Sequence, residues 1–104
     1  MDISMIGLYV LDGRTPVPVN DNVKWGQWFK GADRLVAIDK VGNAEVKTMF
    51  LGIDHDFLGT GPPILFETFV DGGTMEETQD FYTTWEEAEL GHTRMVEAVR
   101  ASLT

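Results

Sequence analysis

A chain of 104 residues is long enough to bury one hydrophobic core and fits a single domain, 1–104. Its 43% apolar content, with three Trp, two Tyr and six Phe, excludes a disordered chain, and the lack of Cys excludes disulfides, thiol chemistry and Cys-based zinc sites. Seventeen acids against eight bases, a formal net charge of -9, argue against general nucleic-acid binding, which needs lysines and arginines on phosphates.

The opening residues MDISMIG carry an acid where a signal peptide carries bases, and no apolar run reaches the length of a membrane span. A cytoplasmic location is therefore expected. Residues 5–11 (MIGLYVL) predict the first strand, with Asp12-Gly13 as the turn that ends it. Residues 14–19, with Pro16 and Pro18, predict an extended edge or loop with few ladder hydrogen bonds. Residues 20–32 predict a short helix, capped by Asp21 or Asn22 and closed at Gly31, with Trp25, Trp28 and Phe29 on one face turned to the core. Gly26 inside it costs about 1 kcal/mol relative to Ala, which aromatic packing must offset.

Residues 34–41 and 45–53 flank Gly42-Asn43-Ala44 and form the clearest hairpin, although Gly-Asn is not the favoured Asn-Gly order. On its first strand Leu35, Ala37 and Asp39 share a face, opposite Val36, Ile38 and Lys40. On its second, Val46, Thr48 and Phe50 share one. Residues 64–70 (ILFETFV) predict a central strand, with Ile64, Phe66, Thr68 and Val70 on one side and Leu65, Glu67 and Phe69 on the other. Residues 74–82 read as a polar edge strand. Thr84 and Glu87 make a capping box for a last helix, with Trp85, Ala88, His92, Met95, Val99 and Leu103 along its apolar stripe. Gly91, the discordant residue there, lets helix and sheet approach closely. The expected fold is α+β, a mostly antiparallel four- or five-stranded sheet in the order β-α-β-β-β-β-α. A short helix in the amino-terminal half and a long carboxyl-terminal helix pack on one face.

The densest set of reactive side chains lies in and after residues 51–70. Asp54, His55, Asp56, Glu67 and, from the last helix, His92 are the candidate polar cluster. Imidazole and carboxylate together can ligate metals, but the spacing matches neither HExxH nor an EF-hand loop, and no metal or cofactor is assigned. His55 reads as an exposed or loop-bracing residue. His92 reads as a core histidine bonded to backbone or to an acid, with an acid–base role if Glu67 or Asp54 meets it. Cys is absent, Ser occurs only at positions 4 and 102, and Thr60 stands alone, so covalent catalysis is not expected. Gly59-Thr60-Gly61-Pro62-Pro63 lacks the features of a phosphate loop and reads as a rigid turn feeding the next strand.

The blocks WGQWF (25–29), FLGIDH (50–55), GPPILFET (61–68) and TWEEAELGH (84–92) together resemble a family of small phage- and prophage-encoded proteins of uncharacterised function. The resemblance runs from Tyr9 to about Arg100 and implies a phage setting, with no catalytic assignment to carry over. Between Asp71 and Glu89 the chain holds seven acids and no base: Asp71, Glu76, Glu77, Asp80, Glu86, Glu87 and Glu89. These form the candidate binding surface of an accessory protein that engages a host protein, without membrane or direct nucleic-acid contact. The alternatives are a minor structural or assembly protein of a phage particle and, behind it, a small-ligand or metal-binding protein using His55, Glu67 and His92.

Overall fold

The structure, a computed structural model, describes residues 7–104 and is α+β, with two antiparallel sheets and two helices. In chain order the elements are β1 (Leu8–Asp12), β2 (Thr15–Val19), α1 (Asn22–Gly31), β3 (Leu35–Val41), β4 (Ala44–Phe50), β5 (Phe66–Asp71), β6 (Gln79–Tyr82) and α2 (Trp85–Ser102). β1 and β2 form their own two-stranded sheet, and the other four strands run as a meander in the order β3-β4-β5-β6. Met5 and Ile6 of the expected first strand lie outside the described residues.

Both tight hairpins turn on Gly-X. Gly13-Arg14 joins the closing pair Asp12–Thr15, and Gly42-Asn43 joins Val41–Ala44. Gly13 (φ 64°) and Gly42 (φ 60°) take the left-handed conformation that a two-residue hairpin needs at its first position. Gly-Asn is therefore a suitable order here. β2 is an extended edge strand, as expected, but it is not poorly bonded, because it pairs with β1 along its whole length. Pro16 and Pro18 are two residues apart, so both nitrogens face away from β1 and neither interrupts the ladder.

Asp21 caps α1 through hydrogen bonds from the Val23 and Lys24 N–H groups at 3.0 and 3.1 Å. Gly31 ends the helix without a left-handed cap; the chain leaves through Ala32 in extended conformation. The α1 aromatics are half-buried rather than buried. Trp28 meets Phe50 edge-on, and the Trp25 indole N–H is shared by the carbonyls of Tyr9 (3.0 Å) and Gly52 (3.1 Å). The Tyr9 N–H bonds the Gly52 carbonyl and the Asp54 N–H that of Gly7, so β1 is stitched to the segment leaving β4.

A bulge between Leu35 and Ala37 changes the phase of β3. Leu35 pairs with Met49 on one face of the sheet, whereas Ala37 and Asp39 lie on the other, opposite Thr48 and Val46. In β5 the alternation fails at its start: Leu65 and Phe66 are both buried in one cluster. The expected strand over 74–82 is shorter, beginning at Gln79. Glu77 before it adopts φ 69°, which an extended strand cannot accommodate.

α2 starts at the Thr84–Glu87 capping box and lays Ala88, Gly91, His92, Met95 and Val99 on the sheet. Gly91 sits against Tyr82, whose ring occupies the place a Cβ would take. The core under α2 has two apolar parts. Val41, Ala44, Val46, Val70, Met95 and Val99 fill one end; Phe50, Leu65, Phe66 and Ala88 fill the other, with Trp28, Tyr82 and Trp85 around them.

Candidate functional site

Between these two clusters lies a polar belt. In β4 the buried residues read Ala44, Val46, Thr48, Phe50, and in β5 they read Phe66, Thr68, Val70. Direct cross-strand pairing sets Val46 against Val70, Thr48 against Thr68 and Phe50 against Phe66. One turn of α2 matches each row, and His92 falls over the threonines. The Thr48 and Thr68 hydroxyl oxygens are 2.5 Å apart, and the Thr48 oxygen is 2.7 Å from His92 Nδ1. His92 Nε2 is 2.7 Å from Asp39 Oδ2, and the Tyr82 hydroxyl donates to Thr68 at 3.0 Å. Every strand of the meander thus supplies one member: Asp39 from β3, Thr48 from β4, Thr68 from β5 and Tyr82 from β6.

A carboxylate only accepts, so His92 Nε2 carries the proton and donates to Asp39. Thr48 and Thr68 are fully buried and His92 nearly so, while the Asp39 side chain is 55% exposed. Buried polar groups without partners are costly; here each has its partners, and the belt is tolerated in the core. Burial raises the Tyr82 phenol above its ordinary pKa of 10.0, the Thr68 hydrogen bond opposes this, and the Asp80 carboxylate adds to it.

Hydroxyl, imidazole and carboxylate stand in a row here, in the same order as in a hydrolase triad. A nucleophile must nevertheless meet its substrate, and the Thr48 hydroxyl is sealed under α2 with both of its hydrogen bonds taken. The arrangement can order and move protons. It cannot attack an external carbonyl.

The candidate polar cluster does not converge. Thr68 and Glu67 are neighbours in β5 and point to opposite faces, so His92 and Glu67 are separated by the sheet. Glu67 accepts from Gln79 Nε2 at 3.0 Å on the face away from α2. In the 51–65 segment the side chains turn onto the loop's own backbone. Asp54 Oδ1 accepts from the N–H groups of Asp56 (2.8 Å) and Ile64 (2.9 Å), and Asp56 Oδ2 accepts from that of Gly61 (2.9 Å). His55 Nδ1–H donates to the Ile53 carbonyl at 2.8 Å, and its ring lies beside Phe57 and Phe81. Among the described residues no group of three or more His, Asp or Glu is placed to hold a metal ion.

All seven acids of the candidate surface are exposed. Asp71 ends β5, Glu76 and Glu77 lie in the turn to β6, Asp80 lies in β6, and Glu86, Glu87 and Glu89 open α2. Three of them have intramolecular work. Glu87 accepts from the Thr83 and Thr84 N–H groups, Glu89 faces Arg14 at 3.7 Å, and Asp80 Oδ1 takes the Phe81 N–H at 2.9 Å.

The face of the meander away from α2 carries Leu35, Ile38, Met49, Phe69 and Phe81 among Lys47, Glu67 and Gln79. Ile38 and Phe81 are 45% and 41% exposed there, and at the loop beside Phe81 the exposures of Phe57 and Leu58 rise to 78% and 86%.

Sequence reasoning places His92 on the apolar stripe but misses Asp39, Thr48, Thr68 and Tyr82 as its network. The signal is present in two threonines at strand positions flanked on both sides by buried apolar residues. Comparison with protein-family models, with curated proteins and with solved structures finds no match for this chain.

Proposed function

We propose that the chain is a phage- or prophage-encoded accessory protein that binds a basic surface of a host protein, in the host cytoplasm, through its acidic segment. The observation that carries this reading is the one-signed stretch from Asp71 to Glu89, whose seven acids are all exposed and include no intervening base. Asp71, Glu76, Glu77 and Glu86 are exposed and make no side-chain hydrogen bond or ion pair with another described residue. A field of one sign speeds encounter with an opposite surface and weakens as salt rises. The phage setting rests on the resemblance of the four sequence blocks.

The test replaces those four residues together by Asn or Gln, leaving Asp80, Glu87 and Glu89 to their structural bonds. Immobilised protein is expected to retain a basic host protein that moderate salt releases, and the neutralised variant to retain none. Equal retention by both proteins would count against the acidic segment.

A second reading, a structural or assembly component, is favoured by the sheet face that no other described element covers and the exposed Phe57 and Leu58 beside it. Its signature is self-association that Phe57→Ser with Leu58→Ser abolishes and the neutralised variant keeps, measured by light scattering after size exclusion.

A further inference from the structure

We propose that Tyr82, Thr68, Thr48 and His92 form a two-state proton wire, with every O–H directed toward His92 when its imidazole is neutral and away from it when the ring is charged. Proton counting carries this. The Tyr82 O–H donates to the Thr68 oxygen, so the Thr68 proton has Thr48 as its remaining partner. The Thr48 proton then goes to His92 Nδ1, which must present a lone pair, while Nε2–H is held by Asp39. Each threonine hydroxyl donates once and accepts once along the wire. Reversing any single link sets two protons, or two lone pairs, against each other in a buried site. The links therefore reverse together.

A concerted shift of protons makes that reversal. The Tyr82 proton passes to Thr68, the Thr68 proton to Thr48 and the Thr48 proton to His92 Nδ1, while Tyr82 takes one proton from water. One solvent proton is consumed and one imidazolium appears, with no change in heavy-atom bonding. Afterwards Nδ1–H donates to Thr48, Thr48 to Thr68 and Thr68 to Tyr82, whose new O–H points out of the chain. Asp80, two residues earlier on β6, stands close enough to act as its next acceptor. Both ends then finish on carboxylates, Asp39 and Asp80, on opposite edge strands of the sheet.

The groups facing the wire are few. β3 contributes Asp39, and the inward residues of β4 and β5 are Val46, Thr48, Phe50, Phe66, Thr68 and Val70, none of which titrates in this range. β6 contributes Asp80 and Tyr82, and α2 contributes His92 together with Arg94, whose charge reaches Tyr82. The imidazolium is offset by the Asp39 carboxylate.

Nuclear magnetic resonance of the full chain, labelled in His and Tyr rings, tests this as pH is lowered across the range in which the fold holds. The expected result is neutral His92 protonated at Nε2 alone, and a Tyr82 Cζ resonance that moves with the same midpoint as His92. His55 is the internal control, since its titration should leave Tyr82 unmoved. In Thr68→Val, which leaves Thr48 against His92 Nδ1, the linked Tyr82 shift is lost; Thr48→Val breaks the same wire one link nearer the ring. A neutral His92 protonated at Nδ1, a Tyr82 resonance indifferent to His92, a His92 that never changes charge, or a linked shift surviving both valine variants overturns the wire.

Discussion

Both faces of the four-stranded sheet carry polar as well as apolar side chains, and they put the polar ones to opposite use. Under α2, Thr48, Thr68 and His92 sit between two apolar clusters with their hydrogen bonds assigned. On the other face, Lys47, Glu67 and Gln79 alternate with Ile38, Met49, Phe69 and Phe81, and water can satisfy whatever the chain does not. Residue type does not fix the role of a polar side chain; access to solvent does. A hydroxyl lost from the covered face strands its partners, whereas an apolar group lost from the open face strands none.

That contrast can be broken from the covered side first. Thr48→Val keeps the shape of the side chain but leaves His92 Nδ1 and the Thr68 hydroxyl without their partner. At about 1–3 kcal/mol for each orphaned group, the loss is expected at about 2–6 kcal/mol in chemical denaturation, with Thr48→Ser recovering most of it. Gly91→Ala comes next. Helix propensity favours Ala by about 1 kcal/mol, but the new methyl enters the Tyr82 ring. Overpacking costs about 1–3 kcal/mol, so a net destabilisation of up to about 2 kcal/mol is expected, and Tyr82 near-ultraviolet dichroism should change with it.

Tyr82 itself gives a pH signature. Its folded pKa is raised, so between the unfolded and folded values the folded chain holds more protons than the unfolded one. The stability this contributes is complete below about pH 10 and is lost as pH rises through the folded value. Denaturation midpoints of Tyr82→Phe should therefore fall less steeply on the alkaline side than those of the parent chain. The smallest effect belongs to the open side: Leu58→Ser, at a position 86% exposed, is expected to stay within about 0.5 kcal/mol. A loss as large as that of Thr48→Val would erase the distinction between the faces.

Much of this architecture is legible in the chain. The capping box, the apolar stripe of α2, the Gly42-Asn43 hairpin and the buried alternation of Val46, Thr48 and Phe50 follow from local pattern, and local pattern is what short-range physics fixes. The misses are all relational. The partner of His92 depends on hairpin register and on how far along the sheet α2 docks, so Asp39 and not Glu67 meets it. The bulge before Ala37 shifts the phase of β3 with no sequence mark stronger than ordinary strand residues. Pro16 and Pro18 argue against pairing until the direction of their nitrogens is considered. Glu77 in a left-handed conformation shortens β6, a state that residue type alone does not suggest. The loop carboxylates look reactive because composition does not show that Asp54 and Asp56 are occupied by backbone N–H groups.

One indole nitrogen sets how the two sheets open. Trp25 Nε1 divides its proton between a carbonyl of β1 and the carbonyl of Gly52, which follows β4, while the Tyr9 N–H closes onto that same Gly52 carbonyl. α1, β1 and the exit from β4 thus share a junction, and releasing the helix loosens both strands' contacts. In native-state hydrogen exchange, the Tyr9 and Asp54 amides should open as one unit with the amides of α1. Trp25→Phe, which keeps an aromatic ring and removes the shared donor, should let the helix exchange ahead of that pair.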